Sequence, residues 1–212
     1  MKAILIPVKL FGESKTRLAP HYSATARAGL AAALCEDFFV VVAKVQRADR
    51  VFVASREPQA LERAQANGWE IIAETEQISE SHSVDAASRI CERRGASALL
   101  RIPMDVPLTT AGDIDAILAE ANEPPAVVII PSRDGTGTNA LLRSPPTLFP
   151  SHFGPNSFVQ HLEEAEHCGA QVKILRNPRI GLDIDELDDL EAVAGRLRPQ
   201  SALARWMIQY RP

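Results

Sequence analysis

Residues Met1–Leu18 read MKAILIPVKLFGESKTRL. The stretch opens with an apolar run, Ala3 to Val8, and then breaks into a polar segment carrying Lys9, Gly12, Lys15 and Arg17. A buried strand that empties into a basic loop is a common way for an α/β protein to receive a nucleotide. The strand fixes the loop, and the loop brings cations and backbone N–H groups to phosphates. The plainer reading is a first strand followed by a solvated loop. Three cations between Lys9 and Arg17, beside a glycine, weigh toward phosphate. Two commoner phosphate motifs fail here. Gly12 stands too close to the Lys15-Thr16 pair for a P-loop, and the turn has no G-x-G-x-x-G. Phosphate binding at this loop would rest on side-chain charge more than on a glycine cradle.

Beyond this opening, strands and helices alternate at short spacing. Helices are expected over Ser23–Val45 with Ser23 as N-cap, Pro58–Asn67, His82–Arg94 and Thr110–Ala121. Strands are expected over Val51–Ser55, Glu70–Ala73, Ala98–Ile102 and Ala126–Ile130. Gly68 and Gly95 supply stops for two of the helices. Such alternation implies an α/β fold with a mostly parallel central sheet flanked by helices, and a ligand beyond the carboxyl ends of its strands. The later part changes character. A glycine-threonine loop, Ser132–Asn139, precedes the apolar run Ala140–Leu142, and Phe153–Ser157 leads into a helix ended by Gly169. Gln171–Leu175 and Ile180–Ile184 read as strands, and Glu186–Leu197 and Ser201–Tyr210 as helices.

The chain has 212 residues with 46% hydrophobic content, suiting one domain at roughly 150 residues each. Its net charge of -4 gives no basic surplus for nucleic acid. No apolar run approaches the ~18 residues of a membrane span. No charged-then-apolar leader opens the chain, and Cys35, Cys91 and Cys168 are odd in number and far apart. A cytoplasmic protein with reduced thiols is expected.

Three carboxylates stand out. Asp105 follows an apolar run and sits between Pro103 and Pro107. Asp183 and Asp185, in GLDID, fall two residues apart and converge if the segment is extended. Carboxylates at strand ends can hold a hard divalent ion such as Mg²⁺ together with substrate phosphates. Asp185 could equally cap the next helix with Asp188. Asp183, between Leu182 and Ile184, would be a costly charge unless paired or coordinated. The Asp134–Asn139 loop offers two glycines and two hydroxyls, and Phe153–Ser157 sits at a helix start that favours an anion. A polar hairpin and simple capping by Asn156 or Ser157 are the plainer readings of these two. The five histidines show no metal spacing, and no G-x-S-x-G or paired Cys/His points to acyl-enzyme chemistry.

Taken in order, the segments IPVKLFGESKTRL, PMDVPL, DGTGTNALL, FGPNSF and GLDIDELDDL resemble the guanylyltransferases of coenzyme F-420 biosynthesis, the CofC/FbiD family, relatives of the molybdenum-cofactor nucleotidyltransferases. The resemblance implies one nucleotidyltransferase domain over residues 1–212, with a nucleotide-diphospho-sugar transferase-like (GT-A or Rossmann-like) fold. It implies an enzyme that joins GTP to 2-phospho-L-lactate, phosphoenolpyruvate or 3-phospho-D-glycerate, releases pyrophosphate and requires Mg²⁺. Asp105, Asp183 and Asp185 match the family's metal carboxylates. Thr138, Gly154 and Ser157 match positions that hold the phosphorylated acid. Lys9, Lys15 and Arg17 match the basic loop near the nucleotide phosphates, which makes Lys15, Arg17 and Asp105 the expected catalytic set. Partners would be these small molecules, with a homodimer allowed and no nucleic acid or membrane. One departure is visible: relatives often carry Gly-Leu-Asn ahead of the helix after the third strand, where this chain has His82-Ser83-Val84-Asp85. A related nucleotidyltransferase with another base or acceptor, such as a molybdopterin, is therefore an alternative reading. A non-catalytic nucleotide-binding module is another.

Overall fold

Strand β1 (Lys2–Val8) lies near the middle of a seven-stranded sheet and is buried on both faces. Ile4, Ile6 and Val8 face one layer of the core with Phe38 and Phe39, while Ala3 and Leu5 face the other with Phe52 and Cys91. Double burial is why this strand reads as a continuous apolar run without alternation. The computed structural model describes residues 1–76, 78–121 and 123–210, so the last two residues of the expected domain lie outside the description.

Helix α1 (Ala24–Val42) follows, capped by the Ser23 hydroxyl, which accepts the Ala26 N–H. It is apolar nearly all round because it is sandwiched. Cys35, Phe38, Phe39 and Val42 press on the sheet, while Leu30 and Leu34 pack against Trp206. Strand β2 (Arg50–Ser55), α2 (Pro58–Ala66), β3 (Glu70–Ala73), α3 (Glu80–Arg93), β4 (Ala98–Arg101) and α4 (Ala111–Ala119) continue the alternation. Thr110 and Asp113 close a capping box at the start of α4. Then come β5 (Ala126–Pro131), β6 (Thr138–Ser144), α5 (Ser157–His167), β7 (Gln171–Ile174), α6 (Leu187–Ala194) and α7 (Ala202–Gln209).

The strand order is β3-β2-β1-β4-β6-β5-β7. Strands β1, β2, β3 and β4 pair in parallel, as do β5 and β7, while β6 runs antiparallel to both β4 and β5. The chain steps outward from β1 to β2 and β3, then returns to place β4 on the other side of β1. Order therefore reverses between β1 and β4. Open α/β sheets bind ligands outside the carboxyl ends of their strands at such a switch point. The loops after Val8 and Arg101 flank it.

One expected strand is absent. Ile180–Ile184 joins no ladder. Its backbone is held instead by single hydrogen bonds from Gly181 N–H to the Asn177 carbonyl (2.8 Å) and from Ile184 N–H to the Asp105 carbonyl (3.0 Å). The period-two pattern survives without a partner strand: Leu182 and Ile184 are buried, and Asp183 and Asp185 between and after them are half-buried.

Candidate active site

The basic loop is fixed at both ends before it presents any charge. Phe11 is buried and gives its N–H to the buried carboxylate of Glu57 at 2.9 Å. Leu18 is fully buried in the layer shared with α1 and α7. Short 3-10 turns at Phe11–Glu13 and Thr16–Leu18 bracket Lys15, which takes the left-handed conformation at φ 55°, ψ 40°. A residue with a side chain pays roughly 1–2 kcal/mol there. The strain accompanies an inward-pointing side chain only 6% exposed. Its ammonium donates to Asp105 Oδ2 and to the Ile184 carbonyl, each at 2.5 Å, and stands 3.4 Å from Asp185 Oδ1. Arg17, largely exposed, donates to Asp185 Oδ2 at 3.0 Å.

Each carboxylate has its own support. The Asp105 carbonyl accepts the Ile184 N–H, which stitches the loop after β4 to the GLDID segment. Asn139 on β6 donates to Asp183 Oδ1 at 3.1 Å and to the Ile180 carbonyl at 2.8 Å. Glu186 and Asp189 form the capping box of α6, and this leaves Asp185 to face Lys15 and Arg17. The segment is tied down upstream as well. Arg179 and Asn177 both donate to Asp113, whose carboxyl is held well below the usual range by those bonds and by Thr110, despite burial. Gly181 is required by contact: a Cβ there would stand 3.1 Å from the Asn177 carbonyl oxygen and 3.3 Å from that of Pro131.

The electrostatics are uneven. Burial alone would lower the Lys15 ammonium, but the charges of Asp105 and Asp185 and the bond to Asp105 carry it above its ordinary value. Burial would raise Asp105, yet Lys15 and Arg101 hold it below the carboxylate range. Asp183 goes the other way, raised by burial and by the charges of Asp105 and Asp185. Among the described residues it has no cationic partner within ion-pair distance. As the side chains stand, no three His, Cys, Asp or Glu groups among the described residues converge at metal-holding spacing, and the Lys15 ammonium lies between Asp105 and Asp185. The donor set is nevertheless what a hard divalent cation takes: carboxylate oxygens only, one of them short of positive charge.

A second group assembles on the other side of β6. Thr138 opens β6 and its N–H donates to Ser157 Oγ at 2.8 Å. Ser157 is the first residue of α5, reached through Gly154 at φ 134° and Asn156 at φ 59°. Ser157 N–H bonds the Gly154 carbonyl, and Phe158 N–H bonds the Thr136 carbonyl. The loop from Ser132 to Gly137 is a hairpin connection that closes on itself. Asp134 binds the Ser132 hydroxyl and the Thr136 N–H and hydroxyl, which pull its carboxyl down to about 2.

The structure thus brings Lys15, Arg17, Asp105 and Asp185 into direct contact, with Asp183 alongside, and gathers Thr138, Gly154 and Ser157 separately. Lys9 stays at the rim, exposed and 3.6 Å from Glu80. Asp85 accepts the Ser151 N–H at 3.0 Å and stands 3.7 Å from Arg143, while Ser83 and Val84 are buried. The unusual His82–Asp85 run therefore helps hold the 150s loop. Sequence reading missed Arg101, a buried guanidinium at the end of β4. It donates to the Asn139 carbonyl at 2.9 Å, pairs with Glu80 and lies 4.0 Å from the centre of the Phe153 ring. Burial pushes it down to about 10, against Asp105 and Asp183, which hold it up. An arginine inside the apolar run ALLRI was the signal available.

Comparison with known proteins places these groups in context. The model of the family described as "Guanylyl transferase CofC like" matches residues 1–195. A phosphoenolpyruvate guanylyltransferase of Rubrobacter xylanophilus is 34% identical over 210 residues, covering 98% of this chain and 96% of that protein. A 2-phospho-L-lactate guanylyltransferase of Methanothermobacter thermautotrophicus is 32% identical over 186 residues, covering 88% and 81%. Among solved structures, a Desulfovibrio desulfuricans G20 protein proposed to be a nucleotide-diphospho-sugar transferase superposes with a TM-score of 0.76 over 99% of this chain and 97% of its own. At 16% identity that likeness speaks for the fold alone.

Proposed function

This chain belongs to the CofC-like guanylyl transferase family, and from that premise we propose that it transfers the guanylyl group of GTP to a small phosphorylated three-carbon acid and releases pyrophosphate. The observation that carries the reading is the buried Lys15 ammonium set among Asp105, Asp185 and Asp183 at the switch point of the sheet. A cation held so firmly beside an excess of carboxylate makes sense where polyphosphate and a counter-ion must be received together.

The acid's own phosphate is the nucleophile. Its second pKa lies near ~6, so at neutral pH it is largely dianionic and needs no protein base. An oxygen of that phosphate forms a bond to the α-phosphorus of GTP, the bond to the β-phosphate oxygen breaks, and pyrophosphate leaves with its electron pair. The task of the protein is to align two anions and to offset their charge. Asp105, Asp183 and Asp185 would hold a divalent ion such as Mg²⁺, which when bound supplies positive charge to the phosphates. Lys15 and Arg17 contribute fixed cations on the same side, and Lys9 contributes one at the rim. Thr138, Gly154 and Ser157 hold the acid from the other side of β6.

Purified protein supplied with GTP, Mg²⁺ and each of 2-phospho-L-lactate, phosphoenolpyruvate and 3-phospho-D-glycerate in turn should release pyrophosphate with at least one acid. A folded protein that releases none with any of them, or that prefers CTP or ATP throughout, would end this reading.

A further inference from the structure

His161 lies one helical turn beyond Ser157 on α5, and its ring is fully buried beside Phe149 and Phe153. The reaction described above gives it no part. Both ring nitrogens are nonetheless engaged. Nε2 stands 3.0 Å from the backbone nitrogen of His152, and Nδ1 stands 3.0 Å from Thr138 Oγ1. A backbone N–H can only donate, so Nε2 is the acceptor. In a neutral ring the single proton then belongs to Nδ1, which donates to the threonine oxygen. The ring is kept neutral chiefly by burial, with the charges of Arg143, His152 and Arg101 adding to it, and is pushed down to about 3. His152 is itself held by a 2.7 Å contact from its Nε2 to Glu164.

The consequence falls on Thr138. Its oxygen already accepts the His161 Nδ1–H hydrogen bond, so its own hydrogen is left to be donated elsewhere. Among the described residues the hydroxyl has no other partner. Ser157 follows the same rule, because its oxygen receives the Thr138 N–H and its hydrogen is left to donate. Two neighbouring hydroxyls are thereby set as donors. A free hydroxyl can rotate and turn its lone pairs to an incoming anion. A hydroxyl whose lone pair is occupied from behind is preorganised to donate, which suits a phosphate or carboxylate.

We propose that His161 is a positioning residue that sets the Thr138 hydroxyl as a donor to the anionic groups of the phosphorylated acid; this rests on the functional reading of the preceding section. Two measurements test it. In protein labelled with ¹⁵N-histidine, the His161 ring should show the Nδ1–H tautomer at neutral pH, and the Nε2–H tautomer or a charged ring would overturn the proposal. In kinetics, His161→Phe should raise KM for the acid about tenfold, the worth of one hydrogen bond to a charged group, with KM for GTP unchanged. His161→Asn, which keeps a donor near Nδ1, should recover most of that loss. Thr138→Val should match His161→Phe, and the double variant should be no worse than either single one. Additive losses, or a KM for GTP that rises in step, would overturn it. Should His161→Phe not fold, His161→Asn and Thr138→Val carry the comparison, and an unaltered acid KM in Thr138→Val is an overturning result. A parent protein inactive with every acid brings down the functional reading and this proposal together. An active parent carrying the other tautomer brings down this proposal alone.

Discussion

The two groups of residues on either side of β6 are built on opposite principles. Around Lys15 the side chains are ionised, close and unevenly paired: one ammonium is shared by two carboxylates, while among the described residues Asp183 pairs with no cation and accepts from the Asn139 amide. Around Thr138 the contacts join neutral groups and run in one direction, from His152 through His161 to Thr138 and from Thr138 to Ser157, which leaves two hydroxyl hydrogens to donate. The first side tolerates a strained backbone at Lys15 and a carboxyl raised by its neighbours. The second buries neutral polar groups in a directed chain of hydrogen bonds. Charge in excess recruits charge, whereas a directed chain of hydrogen bonds fixes which way its remaining donors point. A site that must take a polyphosphate and discriminate a small acid has use for both.

The sharpest way to break this contrast is Asp183→Asn. Turnover should fall by about 10²–10³-fold or more, on the scale of losing one charge-stabilising group. The amide keeps an oxygen for Asn139, and removing a charge crowded by Asp105 and Asp185 relieves repulsion, so the melting temperature should hold or rise slightly. Near-parental activity with a lower melting temperature would make Asp183 a structural residue instead. The partner experiment is Lys15→Met, where the sign for stability reverses. Asp105 and Asp185 lose their shared cation, and a cost of about 3 kcal/mol is expected for breaking a largely buried pair, seen in a denaturant titration. If both variants shift stability in the same direction, the uneven pairing described here is wrong.

A smaller effect should separate the neutral side. His161 protonates near its ordinary value in the unfolded chain but only near about 3 when folded. The folded state therefore binds fewer protons between those values, so its stability is complete above pH ~6.5 and declines as pH falls toward 3. Between pH ~6.5 and 5, above most carboxylate titrations, the decline should be shallower in His161→Asn than in the parent, and equal slopes would contradict the buried neutral ring. The smallest effect belongs to the rim. Lys9→Ala breaks an exposed contact with Glu80 and should change stability by no more than ~0.5 kcal/mol, while weakening GTP binding modestly. A large loss of stability would mean Lys9 belongs with the buried cluster after all.

Much of the parallel half was legible because its rules are local. Continuous apolar runs gave β1 and β4, Ser23 announced its helix, and Gly68 and Gly95 marked two stops. Ile180–Ile184 misled because alternation reports which side chains turn inward, not whether a neighbouring strand exists to pair with. That is why the facing of Asp183 and Asp185 could be read from a segment whose secondary structure was misread. The three carboxylates were visible as charges beside apolar residues. The destination of Lys15 was not, because only the fold brings the β1 loop against Asp105 and Ile184. His161 left no trace in SFVQHLEEAEH: its meaning lies in contacts to Thr138 and His152, and no spacing rule encodes them. Asp85 was read as part of a departure from the family's pattern, and its partners Ser151 and Arg143 come from distant parts of the chain.

The central claim is a division of labour across β6, and crossed steady-state kinetics of Arg17→Ala and Thr138→Val tests it most directly. With GTP and the active acid each varied against saturation by the other, Arg17→Ala should raise KM for GTP and leave KM for the acid near the parent's. Thr138→Val should do the reverse. Both variants moving the same KM, or each moving both equally, would contradict the claim.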